Sequence, residues 1–535
     1  MHRLMTATRA VLKGCLRTAQ SQPSFANAQS VIVAIALLGI WLAAVIFTTT
    51  QHEFWRDEVR AWSLVRTASS PAHLFNLIRD EGHPALWYLL LYGSHSLLDT
   101  PLVLPIVSLV IAFTAVTAFL LLSPFPLWFR SLFIFCALPL YEYSVMARNY
   151  GVSMLLLFAA AALYRNRKKY CLLLASVLAL LANANVHSAI FACLTGVVWA
   201  CDTVIGRKAA STKEAGRSLW LGFAIIAAGL VLCAAVTTPG RSTVVTRVHS
   251  VSVTDLASSI IDAMLEPQRS FCDLLPVGLP PILGGLLLYL AVFGLLCRTN
   301  LFLAALGGLI GLGVLFRVVY PGGYRHQGLF LIFLLALYWI ASESLPSQSN
   351  RLIMRRLFNV GRYAVLPIFI LGNVLKDGIV YADIRMEMSS SRSFGAFLSQ
   401  SAAYQDAIIV PEPDYLTESL PFYAGNPIYF AREHRFGTTV SWTSRADLGL
   451  SLGDLLSAAR DLKTRYGRPV LLVLGHWEVG PYELRADEVG RIKFSYNQSF
   501  SWTAAELADA NRSMAPLAEF KTALCDENYR VYALK

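Results

Sequence analysis

From Val31 to Val380 the chain is assembled from apolar runs of roughly 20 residues, each about long enough to cross a hydrocarbon core as a helix, separated by short polar turns. A soluble core has no use for so many helices that are apolar all round, so this recurrence commits most of the chain to lipid. Composition agrees: of 535 residues 56% are hydrophobic and only 15% charged, and the mean hydropathy is +0.52. Beyond Tyr381 the apolar runs shorten to strand length, as in a water-soluble domain.

The candidate spans lie near residues 31–50, 101–122, 126–143, 149–164, 170–183, 187–201, 218–238, 277–297, 300–319, 328–343 and 363–380, about eleven in all. Val31 to Thr50 exceeds a signal-peptide core and runs into Gln51-His52-Glu53 rather than a small-residue cleavage site, so it reads as a retained anchor. The short apolar stretch Ala85 to Leu98 reads as a helix in the outer interface, because counting it as a crossing would put the next basic cluster on the wrong side.

Arg3, Arg9, Lys13 and Arg17 precede the first run without an acidic neighbour, which places the N-terminus in the cytoplasm. The clusters Arg165/Arg167/Lys168/Lys169, Arg207/Lys208/Lys213/Arg217 and Arg351/Arg355/Arg356/Arg362 should share that side. The net charge of +11 is therefore an orientation signal, not a nucleic-acid surface. The expected architecture is a cytoplasmic tail (1–30), an all-α polytopic membrane domain (31–380) with its first extracytoplasmic loop at 51–100, and a small extracytoplasmic α/β domain (381–535). In that domain Asp406 to Val410, Pro469 to Leu474 and Tyr529 to Leu534 read as strands and Gly453 to Tyr466 as an amphipathic helix. Its polar residues, His476-Trp-Glu478 included, have no nucleophile–base or metal spacing, and it reads as a scaffold or an acceptor-docking unit.

The nine cysteines form no CxxC pair and no Cys/His metal spacing. Cys136, Cys171, Cys193, Cys201, Cys233 and Cys297 lie in or beside apolar runs, where cysteine is a small apolar residue. Cys272 and Cys525 both fall outside the cytoplasm and clear of the spans, where a disulfide between them is open.

The residues with chemistry gather on the outer side. The first outer loop opens Trp55-Arg-Asp57-Glu58, two carboxylates just past a membrane helix, where ionisable groups are costly and functional by default. A plain alternative pairs them with Arg56, Arg60 or water on a juxtamembrane helix. The same loop holds Asp80-Glu81-Gly82-His83-Pro84, and other outer turns present Glu142/Arg148/Asn149/Tyr150, Asn183/Asn185/His187 and Tyr324/Arg325/His326. Each alone is more readily structural, but carboxylates, arginines and histidines from four turns fall on one face. A carboxylate there can take an acceptor's hydroxyl proton, and guanidinium or imidazolium groups can hold a leaving phosphate. A nucleophile elbow and an HExxH zinc helix are both missing.

Trp55-Arg-Asp57-Glu58, Gly82-His83-Pro84-Ala-Leu-Trp-Tyr, Ala147-Arg148-Asn-Tyr150 and Tyr324-Arg325-His326, in this order and on this side, resemble the integral-membrane GT-C glycosyltransferases. They are similar to bacterial lipopolysaccharide-core sugar transferases and their relatives, the protein O-mannosyltransferases and aminoarabinose transferases. The resemblance covers about the first 380 residues and implies an enzyme of the bacterial inner membrane that works on the periplasmic side. It further implies a polyprenyl-phosphate sugar donor and a glycolipid, polysaccharide or protein acceptor. Asp57 would be the base, with Glu58 beside it, and Arg148, Arg325, His326 and Tyr324 the donor-phosphate contacts; His83, His187 and Tyr150 are further candidates. Pro84-Ala85 stands where many relatives have two prolines. No acidic residue follows Tyr150 within a turn, as in some relatives, so whether a divalent metal ion takes part is open. The competing reading, a flippase or transporter of a lipid-linked glycan, calls for polar residues inside the spans, and these are scarce. Sugar, acceptor and oligomeric state are not written in these motifs.

Overall fold

The computed structural model describes residues 28–206, 213–238, 240, 252–343, 352–376, 378–443, 445–475, 490–494 and 497–535. The basic N-terminal tail, Arg207 and Lys208, Arg351 and His476-Trp-Glu478 lie outside them, as does nearly all of 239–251 in the expected outer loop.

The membrane part consists of α1 (Ala28–Gln51), α2 (Arg56–Thr67), α3 (Pro71–Leu77), α4 (Leu86–His95), α5 (Val103–Leu122), α6 (Leu127–Ile134), α7 (Tyr150–Tyr164), α8 (Cys171–Ala182), α9 (Val186–Gly206), α10 (Lys213–Thr237), α11 (Val253–Leu265), α12 (Pro281–Phe293), α13 (Thr299–Val318) and α14 (Tyr324–Glu343). A last apolar segment runs from Leu352 to Arg385, past the Val380 expected from composition. Among the described residues seven helices are long and apolar enough to cross a bilayer: α1, α5, α9, α10, α13, α14 and this last segment. The chain is an integral membrane protein.

Among the described residues three of the other expected spans are shorter helices. α7, α8 and α12 are apolar but only 15, 12 and 13 residues long, and at about 1.5 Å per residue none reaches the roughly 30 Å of a full hydrocarbon core. The expected span at 126–143 is broken: α6 stops at Ile134 and the chain resumes as a π-helical turn over Leu138–Glu142. Pro139 in that turn has no amide to donate to an α-helical ladder. Tyr324, Arg325 and His326 are not in a loop before the helix but form the first turn of α14. From Gln327 to Ala341 every residue of α14 is buried, so it is the axis around which the others pack. α1 is its opposite, with Val31, Ile32 and Ile35 left bare on the surface, as a lipid-facing helix requires.

After Arg385 a helix, Ser391–Gln400, leads into a four-stranded sheet ordered Ile408–Glu412, Val470–Gly475, Tyr529–Leu534, Met514–Phe520; the first pair is parallel and the others antiparallel. The first two strands are buried throughout, as their unbroken apolar runs demand. The crossover helix Leu452–Tyr466 starts at a Ser451/Asp454 capping box and ends on Gly467 at φ 61°, a conformation that suits glycine. The fold is thus a polytopic helical domain followed by a small α/β domain. Cys272 and Cys525 are both free, so the open disulfide between them is not made.

Candidate active site

α2 holds Asp57 and Glu58 in its first turn, and one residue of helical advance, about 100°, sends the two carboxylates in different directions. Val59, Trp62 and Val65 bury one face of α2, and Glu58 goes in with them, fully buried. One of its oxygens accepts the Ala147 amide at 2.7 Å and the other meets His52 Nε2 at 2.8 Å. The other nitrogen of His52 lies 2.8 Å from Asp383 in the last apolar segment. Burial opposes charging this imidazole, but Glu58 and Asp383 outweigh it and push His52 up to about 10. Glu58 therefore stands in a buried clamp that joins the start of α2 to the turn before α7 and to the last apolar segment.

Asp57 points instead to a cavity and keeps about a third of its side chain exposed, 35%. Its Oδ2 forms an ion pair with Arg148, and Arg56 Nε lies 3.7 Å from Oδ1. Burial alone would raise this carboxyl, but Arg148, Arg56 and Arg325 hold it well below the ordinary carboxylate range, so it is ionised at any physiological pH. Arg148 is delivered by the turn that the π-helical segment opens. That turn lies close against α7: a Cβ on Gly151 would stand 2.5 Å from the Tyr143 carbonyl oxygen, so only glycine lets the two approach.

The other candidate residues join from the far side. The Arg148 guanidinium lies 5.8 Å above the Tyr150 ring, which meets His326 edge-on at 5.3 Å; the His326 ring is 5.2 Å from that of His187. His187 Nε2 pairs with the Tyr320 hydroxyl at 2.6 Å, and His326 Nδ1 accepts the Gly323 amide at 3.1 Å. Arg325 sits 5.3 Å above the Trp55 ring and 3.5 Å from Glu142. Its backbone carbonyl accepts the Tyr143 hydroxyl at 2.7 Å. Tyr324 stacks beneath the Lys376 ammonium at 4.9 Å.

A cavity of about 120 Å³ opens beside Asp57, walled by Arg56, Arg60, Glu81, His83, Trp87, Tyr88, Arg148, Asn149 and Trp442. His83 rests its Nδ1 2.7 Å from the Glu81 carbonyl, in the bend formed by Gly82 at φ 68°. Burial, and then the charge of Arg148, hold its imidazole below its usual range, so it is neutral. Arg60 does not pair with Asp57 or Glu58. It forms a fork to Glu81 at 2.7 Å on both oxygens, an ion pair with the buried Glu418 and a bond to the Val440 carbonyl at 2.9 Å, with its guanidinium 4.7 Å above Trp442. Since Glu418, Val440 and Trp442 belong to the α/β domain, that domain roofs the cavity.

The structure thus brings Asp57, Arg148, Arg325, His83, Tyr150, His187 and His326 into one assembly and turns Glu58 out of it. Sequence reading had singled out the turn that holds Glu81 but missed Arg60, Trp442 and Tyr320 as members, because Arg60 meets Trp442 across 382 positions and Tyr320 meets His187 across 133. Among the described residues no three His, Cys, Asp or Glu side chains group so as to hold a metal ion.

No family model and no curated protein matches the chain. The crystal structure of ArnT from Cupriavidus metallidurans in the apo state is similar to it at a TM-score of 0.45 and 13% identity, over 95% of this chain and 98% of that one.

Proposed function

We propose that the protein is a membrane glycosyltransferase that moves a sugar from a polyprenyl phosphate to an acceptor hydroxyl on the extracytoplasmic side, with inversion, and with Asp57 as the general base. The observation that carries this reading is the Asp57–Arg148 pair: a carboxylate, ionised and partly open, on the wall of a polar cavity lined by Arg56, Arg60 and Arg148. A single displacement needs an ionised base on the acceptor side and cations on the phosphate side, and these residues offer both.

Arg148 serves two partners in turn. Without donor it neutralises Asp57, which makes that carboxylate a weak base. When the donor phosphate arrives, with Arg325 as a second cation, Arg148 turns to it and Asp57, relieved of its partner, gains basicity as the acceptor is bound. The sugar–phosphate bond breaks, the acceptor oxygen bonds to the anomeric carbon, its proton passes to Asp57 and the lipid phosphate leaves against Arg148 and Arg325. Glu58, with both oxygens engaged, positions the site rather than reacting. In this reading the N-terminus is cytoplasmic, the α/β domain periplasmic, and the inner membrane of a bacterium the setting.

The test is reconstitution in nanodiscs with a panel of undecaprenyl-phosphate-linked hexoses and aminopentoses, following release of undecaprenyl phosphate. Asp57→Asn keeps shape and loses proton acceptance, so turnover should fall by about 10² to 10⁴ with donor binding intact. Full turnover by the Asn protein, or no release from any donor by the native one, would sink the reading.

A further inference from the structure

We infer that Glu527, in the α/β domain, is a positioning residue for the transferase site: its carboxylate caps the N-terminus of α2 and so fixes the helix turn that carries Asp57. This rests on the reading of Asp57 as the base.

The local sequence leaves α2 without a cap. Its N-cap residue is Trp55, in an extended conformation (φ −120°, ψ 170°), whose side chain makes no cap hydrogen bond. The first turn of a helix has amide donors that need an acceptor, and its positive end favours an anion. Glu527 supplies the acceptor from 471 residues away: its Oε1 accepts the Arg56 amide at 2.6 Å. Its Oε2 accepts the Ser419 hydroxyl at 2.6 Å and that of Ser389, which hold the carboxylate in place. Glu527, Ser389 and Ser419 are fully buried. Asp526 grips the Arg56 guanidinium at 3.0 and 3.2 Å, and Arg56 also lies over the Tyr415 ring at 5.0 Å.

Burying a carboxylate is costly, and two domains can dock through apolar contact without one. Here the carboxylate meets the amide directly preceding Asp57, and its neighbour Asp526 holds the arginine that also faces Asp57. Movement of the first turn of α2 would shift Asp57 relative to Arg148 and to an acceptor oxygen. Displacements on the order of 1 Å can cost about a hundredfold in rate. The α/β domain on this account sets the geometry of the base in addition to covering the cavity.

The test uses the full chain in nanodiscs, with the donor that supports turnover and undecaprenyl phosphate as the binding probe. Glu527→Ala should lower kcat about ten- to a hundredfold while undecaprenyl phosphate affinity stays within about twofold. Glu527→Gln, which keeps an acceptor oxygen for the Arg56 amide, should stay within about threefold of native kcat. Combined with Asp57→Asn, Glu527→Ala should add little further loss, since the two act through one group. A folded Glu527→Ala protein of native kcat, losses that multiply with Asp57→Asn, or a Gln variant as impaired as Ala would each overturn the inference. If the Ala variant does not fold, Ser419→Ala, which removes one of the two hydroxyls on Oε2, enters the same cycle with the same outcomes. An active Asp57→Asn protein would sink the base assignment and this inference together; an inactive one beside a fully active Glu527→Ala would sink this inference alone.

Discussion

Asp57 and Asp202 are both carboxylates surrounded by arginine and tyrosine, and they mark opposite ends of α7, whose first residue, Tyr150, faces one group and whose last, Tyr164, faces the other. Asp202 is 8% exposed at its side chain and meets Tyr164 Oη at 3.0 Å, Arg298 at 3.1 Å, Asn300 at 3.0 Å and Arg167 at 3.4 Å. Both of its oxygens are taken by the chain, and it ties α7, α9 and the start of α13 together. Asp57 has similar partners in kind but opens to a cavity. Residue types alone do not separate a brace from a reactive site; what does is whether the protein completes the coordination itself or leaves part of it to a ligand.

This contrast can be broken. Below the loss expected for Asp57→Asn, the next largest effect belongs to Arg325→Ala, which removes a charge-assisted contact worth about 1.5–3 kcal/mol. The donor KM should rise roughly ten- to a hundredfold, and Arg325→Lys should restore only part of it because a point charge replaces a planar fork. An unchanged donor KM would remove Arg325 from the phosphate side.

Asp202→Asn should behave in the opposite manner. Leaving Arg167 and Arg298 without their anion should cost about 2 kcal/mol of stability, read as a lower melting temperature, while turnover per folded molecule stays within about twofold. A large loss of turnover at native stability would mean the brace is more than a brace.

A further effect is in the pH dependence of stability. His52 gains charge partners on folding and titrates near 10, above its unfolded value of 6.5, so its contribution is complete below about pH 6.5 and is lost as the pH rises through 10. The melting temperature of the native protein should fall through that alkaline window, and that of His52→Gln should fall less. Parallel curves would show that the Glu58–His52–Asp383 clamp does not store this energy.

Much of the site was legible because ionisable residues stand out between apolar runs: Asp57, Arg148, Arg325 and His83 are conspicuous there, and the strands at Ile408 and Val470 were visible as short apolar blocks. The distinction between Asp57 and Glu58 was not, because adjacent carboxylates look alike until a helix turns one of them toward His52 and the Ala147 amide. Nor were Arg60, Trp442 and Glu527, whose partners lie 358, 382 and 471 positions away along the chain. The span pattern was misread at 126–143 because hydropathy registers an apolar run and not the π-helical turn that Pro139 brings to it.

The cavity draws on both ends of the chain, and that imposes an order in time. Asp57 and Arg148 enter the membrane early in synthesis, whereas Trp442 emerges late and Glu527 only just before the final strand. While the ribosome is still translating, the nascent chain holds an arginine-rich surface with no roof and an uncapped α2. The cavity wall and the cap of α2 are complete only once Trp442 and Glu527 have emerged, so a product truncated before Glu527 keeps the membrane helices and lacks the residue that caps α2.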